Sequence, residues 1–227
     1  MTRVITLVLA LAVVLGTPGA ARAPLGQHPT HTLDWRMNPV AVVGDSYTTG
    51  GDEGGLGTNG WTTHAWQSLL QRGLPLTFDV AAQRGSGYGA RGDHGDSFED
   101  LTARAVKPDD VLVVLYGSRN DQAANPILLP AMMYSTFQLA RKSAPRARFL
   151  VIGPPWPTAD PPPAVLRIRD TLAYQAQLTD AAFVDPIALG WFVGQPGLIG
   201  ADGVHPNDAG HAYMADKIAP FIAAQLR

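Results

Sequence analysis

A three-layer α/β/α domain built on a five-stranded parallel sheet is the fold this sequence predicts, and three observations carry the expectation. Short runs rich in Val, Leu, Ile or Phe alternate with longer helical segments, and such alternation implies a parallel sheet covered on both faces. The first apolar run, Val40-Ala41-Val42-Val43, stops at Gly44, as a buried strand does when it turns sharply at its C-terminal end. The 227 residues, 46% hydrophobic and 16% charged, suit one full core and are too few for two large domains.

The elements follow in order. Arg3, an apolar stretch from Val4 to Leu15 and small residues through Ala23 have the pattern of a secretory signal peptide over residues 1–23. At about a dozen residues the stretch is short for a bilayer span, which favours the signal peptide; an uncleaved N-terminal anchor is the alternative. Ala21-Arg22-Ala23 fits the cleavage pattern; Pro24 disfavours a cut directly before it and leaves a cut after Ala21 open. A secreted or cell-envelope location is therefore expected. With no cysteine in the chain, there is no lipoprotein anchor and no disulfide to support an exported fold.

Residues 24–37 read as an extended, proline-containing leader, and 38–227 as the single domain. Strands are expected at 39–45, 77–82, 110–116, 148–153 and 181–185. Helices are expected near 60–73, 97–107, 127–143, 163–179 and 208–226. Asn125-Pro126 gives the third helix a cap followed by a proline at its first position, and Asn207 or Asp208 caps the last. Neither an internal repeat nor a linker is evident. Gly50–Gly60 holds six glycines and is either a mobile rim or a loop with unusual backbone angles.

Chemistry enters at Ser46. Ligands of open α/β sheets bind beyond the carboxyl ends of the strands, which is where Gly44-Asp45-Ser46 ends the first apolar run. A serine hydroxyl needs a base, and the base needs an orienting group. About 160 residues later Asp202-Gly203-Val204-His205-Pro206 supplies both from one loop: His205 as base and Asp202 as orienter.

These residues resemble the SGNH hydrolases, the GDSL-type esterases and lipases, which are marked by four short blocks in fixed order. Gly44-Asp45-Ser46 matches the first, with Tyr47 where leucine is usual. Arg84-Gly85-Ser86-Gly87-Tyr88 matches the second, Gly117-Ser118-Arg119-Asn120-Asp121 the third and Asp202 to Pro206 the last. The resemblance covers nearly all of residues 38–227 and implies a flavodoxin-like SGNH fold. It implies carboxylic-ester hydrolysis by Ser46, His205 and Asp202 through an acyl-enzyme. Its oxyanion donors would be the backbone N–H of Ser46, that of Gly85 (or Gly87 in its place) and the Asn120 amide, each contributing about 3 kcal/mol. Asn120 as the cap of a turn is the alternative.

Other classes fit poorly. A net charge of −2 leaves no basic footprint for nucleic acid. The α/β-hydrolase elbow Gly-x-Ser-x-Gly does not occur. Gly85-x-Gly87-x-x-Ala90 mimics a dinucleotide fingerprint, but Arg91-Gly92-Asp93-His94-Gly95 follows where a helix should begin. Asp93, His94 and Asp96 do not define a coordination shell, so no metal and no cofactor are expected. His28 and His31 fall in the leader, His64 reads as structural, and His211 lacks the Asp-x-x-His-Pro context of His205. Trp61, Trp156, Trp191 and Phe192 are candidates for an acyl pocket or for core. The expected substrate is a lipid acyl ester or an O-acetyl glycan ester, and the expected state is a monomer. The alternative is a cell-envelope acyltransferase or binding module on the same fold.

Overall fold

The computed structural model describes residues 37–227. The expected signal peptide, residues 1–23, and all of the expected leader except Met37 lie outside the described residues. Within them, strands β1 (Asn38–Gly44), β2 (Leu76–Ala82), β3 (Leu112–Tyr116), β4 (Arg148–Ile152) and β5 (Ala182–Val184) form one sheet. All neighbouring pairs are parallel, in the order β2-β1-β3-β4-β5. The helices are α1 (Ser46–Thr49), α2 (Trp61–Gln71), α3 (Phe98–Ala105), α4 (Leu129–Ser143), α5 (Pro163–Leu178) and α6 (Asp208–Gln225).

Alternation along β1 builds two cores. Val40 and Val42 point to one face and pack with Trp61 and Leu69 of α2 and Met214 and Ile218 of α6. Ala41 and Val43 point to the other and pack with Leu101 of α3, Met133 and Phe137 of α4, and Leu172 of α5. Parallel strands covered on both faces need continuous apolar runs, which is why β1 and β3 carry them. β2, at the sheet edge, exposes Val80 and Thr77 and alternates less cleanly.

The strand order reverses between β1 and β3, and their carboxyl ends therefore open a crevice. Ser46, the loop after β2 and the segment after β3 all start there.

Helix ends show how far local sequence reaches. Ser97 and Asp100 form a capping box at α3, and Asn207 Oδ1 caps α6 by accepting from Gly210 N–H at 2.9 Å. The expected start of the third long helix is corrected. Asn125 Oδ1 accepts from Ile127 N–H at 2.9 Å and closes a separate turn, while α4 begins at Leu129 with Pro130 in its first turn. An Asx turn competes with a helix cap for the same side-chain oxygen, and here it prevails.

Candidate active site

Gly44 ends β1 with no room for a side chain, since a Cβ there would lie 2.2 Å from Thr48 Oγ1. The chain turns at once into the single-turn helix α1, whose cap is Asp45: its Oδ1 accepts from Tyr47 N–H at 3.0 Å. Ser46 is thereby fixed at the sheet's carboxyl edge. At the first helical position its N–H has no intrahelical acceptor.

The late loop brings the other two predicted residues to it. His205 Nε2 lies 3.0 Å from Ser46 Oγ, and His205 Nδ1 lies 2.5 Å from Asp202 Oδ2. With a carboxylate at Nδ1, that nitrogen carries the proton and Nε2 is left to accept. Asp202 Oδ1 also accepts the backbone N–H of Val204 at 2.8 Å and of His205 at 2.9 Å. Burial opposes its ionisation, but the His205 ring and these two N–H groups outweigh burial and hold the carboxyl at about 2. The acid stays ionised and keeps the imidazole aimed.

Tyr47, where the usual leucine is replaced, closes the arrangement from below. Its ring packs edge-on against Tyr116 and Phe192, and its hydroxyl donates to Val204 O at 2.5 Å, one residue before His205.

The candidate donors for an oxyanion stand in the second and third blocks. Gly85 has a φ of 76° and its N–H donates to no group among the described residues. The N–H of Gly87 instead donates to Ala90 O at 3.0 Å, and a Cβ on Gly87 would meet Asp121 Oδ1 at 2.5 Å. Of the two glycines, only Gly85 keeps a free donor. Asn120 Nδ2 donates to Ser86 O at 2.8 Å and lies 3.4 Å from Asp45 Oδ2, so its second hydrogen is loosely held. Burial pushes the Asp45 carboxyl up to about 6 despite the Tyr47 N–H and the Arg119 charge. Asp121 is the brace between the blocks, accepting the N–H groups of Tyr88, Gly89 and Ala90 at 2.7–2.9 Å.

A cavity of about 220 Å³ opens beside Ser46, lined by Ser46, Gly50, Gly51, Asp52, Glu53, Arg84, Asp202 and His205. Larger hollows occur elsewhere, such as one of about 430 Å³ between α2 and β2, which is lined by neither Ser46 nor His205. Of the two readings of the glycine-rich loop, unusual angles hold. Gly50, Gly54, Gly55 and Gly57 all have positive φ, and the loop is anchored: Gly55 N–H donates to Asp208 Oδ1 at 2.8 Å, and Glu53 Oε2 accepts from Ala201 N–H at 2.6 Å. Glu53 and Arg84 are site residues the sequence did not single out, because both reach the site through loops whose closure is long-range.

The remaining candidates separate. Trp61, Trp191 and Phe192 belong to the core, at most 2% exposed; Trp156 is half-buried with the Arg119 guanidinium 4.7 Å from its ring centre. His211 is 1% exposed, and its Nδ1 accepts from Trp61 N–H at 3.4 Å. Burial lowers it to about 4, so it is a neutral core histidine. Asp96 is spent on Arg104 and Gln83, and His94 is exposed 3.9 Å from Asp93; among the described residues no cluster of three such groups could hold a metal. No helix of the described residues is long and apolar enough to cross a membrane.

The sequence pattern of the GDSL-like lipase/acylhydrolase family matches residues 42–213, from the middle of β1 into α6. The chain belongs to this family. It is 59% identical to a GDSL lipase of Mycobacterium tuberculosis, over 99% of this chain and 97% of that one. The fold is also that of TesA (TM-score 0.65, 23% identity, 83% of this chain and 99% of that one). An aryl esterase of M. smegmatis shares it as well (TM-score 0.61, 16% identity, 83% and 99%). So does a carbohydrate esterase of family 2 from Corynascus (TM-score 0.64, 21% identity, 90% and 69%). As a member of this SGNH family the chain is a carboxylic-ester hydrolase.

Proposed function

We propose that the chain is an exported serine esterase that cleaves lipid acyl or O-acetyl glycan esters through an acyl-enzyme on Ser46. The observation that carries this is the relay from Asp202 Oδ2 to His205 Nδ1 at 2.5 Å and from His205 Nε2 to Ser46 Oγ at 3.0 Å. Export rests on the N-terminal sequence alone.

In the first half-reaction Ser46 Oγ bonds to the acyl carbon while its proton passes to His205 Nε2. The carbonyl oxygen becomes an oxyanion that accepts from Ser46 N–H, Gly85 N–H and Asn120 Nδ2. As the oxyanion collapses, the bond to the alcohol oxygen breaks and His205 returns the proton to that oxygen. Water then attacks the acyl-enzyme with the same base, releasing the acid and restoring the serine. Asp202 remains ionised throughout and stabilises the imidazolium. No step calls for a metal or cofactor.

Ser46→Ala and His205→Ala should each lower kcat/KM on p-nitrophenyl acetate by about 10⁴-fold or more, and the double variant should lose little further. A folded Ser46→Ala protein that retained turnover would refute the reading.

A further inference from the structure

The cavity beside Ser46 has a composition that the hydrolysis of an ester does not by itself require. At about 220 Å³ it is smaller than the roughly 300–1,000 Å³ of pockets that take drug-sized ligands. None of its lining residues carries a hydrocarbon side chain. An acyl chain placed there would meet charged and polar side chains and gain less than the ~0.8 kcal/mol that each buried methylene normally contributes. Its position also matters. His205 and Asp202 form part of its wall and Asn120 does not, so it lies on the imidazole side of the nucleophile. That is where the alcohol oxygen must sit to receive the proton from Nε2.

Two charged groups at its mouth have no side-chain partner among the described residues. Asp52 and Arg84 are exposed, and neither side chain makes a hydrogen bond or ion pair among the described residues. Arg84 lies against the glycine loop, its Cζ 3.5 Å from where a Gly51 Cβ would be, so Gly51 leaves it room. Glu53, by contrast, is held by Ala201 N–H at 2.6 Å and serves as wall. A carboxylate that only accepts and a guanidinium that only donates are complementary to hydroxyl groups, which do both.

We propose that this cavity is the alcohol subsite, that it takes a hydroxyl-rich alcohol of sugar or glycerol size, and that Asp52 and Arg84 select it by hydrogen bonding. This rests on the serine-esterase reading and assigns which half of the ester the enzyme discriminates. The acyl group lies on the Asn120 side, away from the cavity.

The test compares kcat/KM for a mono-O-acetyl monosaccharide, monoacetylglycerol and ethyl acetate, in the full-length protein and in Asp52→Asn and Arg84→Gln. The wild type is expected to favour at least one hydroxyl-rich ester over ethyl acetate by about tenfold or more, and each variant to shrink that ratio by about tenfold. A larger ratio for the sugar ester assigns a glycan source, and a larger one for monoacetylglycerol assigns a lipid headgroup. Labelling of Ser46 by a fluorophosphonate, run on each variant, checks that the nucleophile is intact. Equal rates on all three esters in the wild type would overturn the proposal. So would a preference that both variants keep, or Ser46 labelling that falls in step with the sugar ester. A wild type that turns over none of the esters and takes no label would instead refute the esterase reading.

Discussion

His211 provides a quantitative test of how the site's surroundings are built, because it is the histidine most easily confused with the base. It is 1% exposed and burial lowers it to about 4, against an ordinary value of 6.5. Between those two values the unfolded chain binds a proton that the folded chain refuses. Its neutral form therefore stabilises the fold fully above pH 6.5, and that contribution is lost as pH falls toward 4. A difference of about 2.5 units at 1.36 kcal/mol each is on the order of 3 kcal/mol. Asp45, pushed up to about 6, acts in the opposite sense: its penalty is full above pH 6 and is relieved as pH falls toward 3.8. Comparison with His211→Asn, which keeps an acceptor for Trp61 N–H, cancels that common background. Urea unfolding at pH 7, 6, 5 and 4 should show wild type losing about 3 kcal/mol more than the variant. His211→Asn should also retain ester turnover. A stability difference independent of pH, or loss of turnover in the folded variant, would refute the buried neutral assignment.

Other outcomes follow from the same geometry. Asn120→Ala should lower kcat by about 10²–10³ with little change in KM, since its donor matters mainly in the transition state; an effect confined to KM would count against that role. Gly87→Ala should fail through packing, because a Cβ meets Asp121 at 2.5 Å, and thermal melting should register it before any specific kinetic change. Asp202→Ala should be damaging, yet less so than His205→Ala by about tenfold or more in kcat/KM. Incubation with EDTA should leave the rate unchanged, and a loss restored by a divalent cation would overturn the metal-free mechanism.

Much of the fold was legible because its signals are local. The run Val40–Val43 names its own strand, Gly44 its end, and Asn207 the start of α6. Asp-x-x-His-Pro likewise distinguishes His205 from His211; in the fold His205 Nε2 lies 3.0 Å from Ser46 Oγ, whereas His211 is buried in the core. What failed depended on the assembled chain. Asn125 supports a turn or a helix equally well, and only the position of Leu129 in the core decides between them. Four large aromatic residues looked alike in sequence, yet three are core and only Trp156 is partly open. The choice between Gly85 and Gly87 turned on which N–H remains after the loop folds back on Ala90. Glu53 and Arg84 line the cavity beside Ser46 only because loops after β1 and β2 converge at the carboxyl edge of the sheet.

The central claim is that Ser46 alone is the activated nucleophile. Treating the protein with a fluorophosphonate and measuring intact mass should give one adduct per chain, and peptide mapping should place it on Ser46. Ser86 and Ser118 are fully buried and already hydrogen-bonded within the loops, so neither should react. An adduct on either of them, or none under conditions where ester is turned over, would contradict the account.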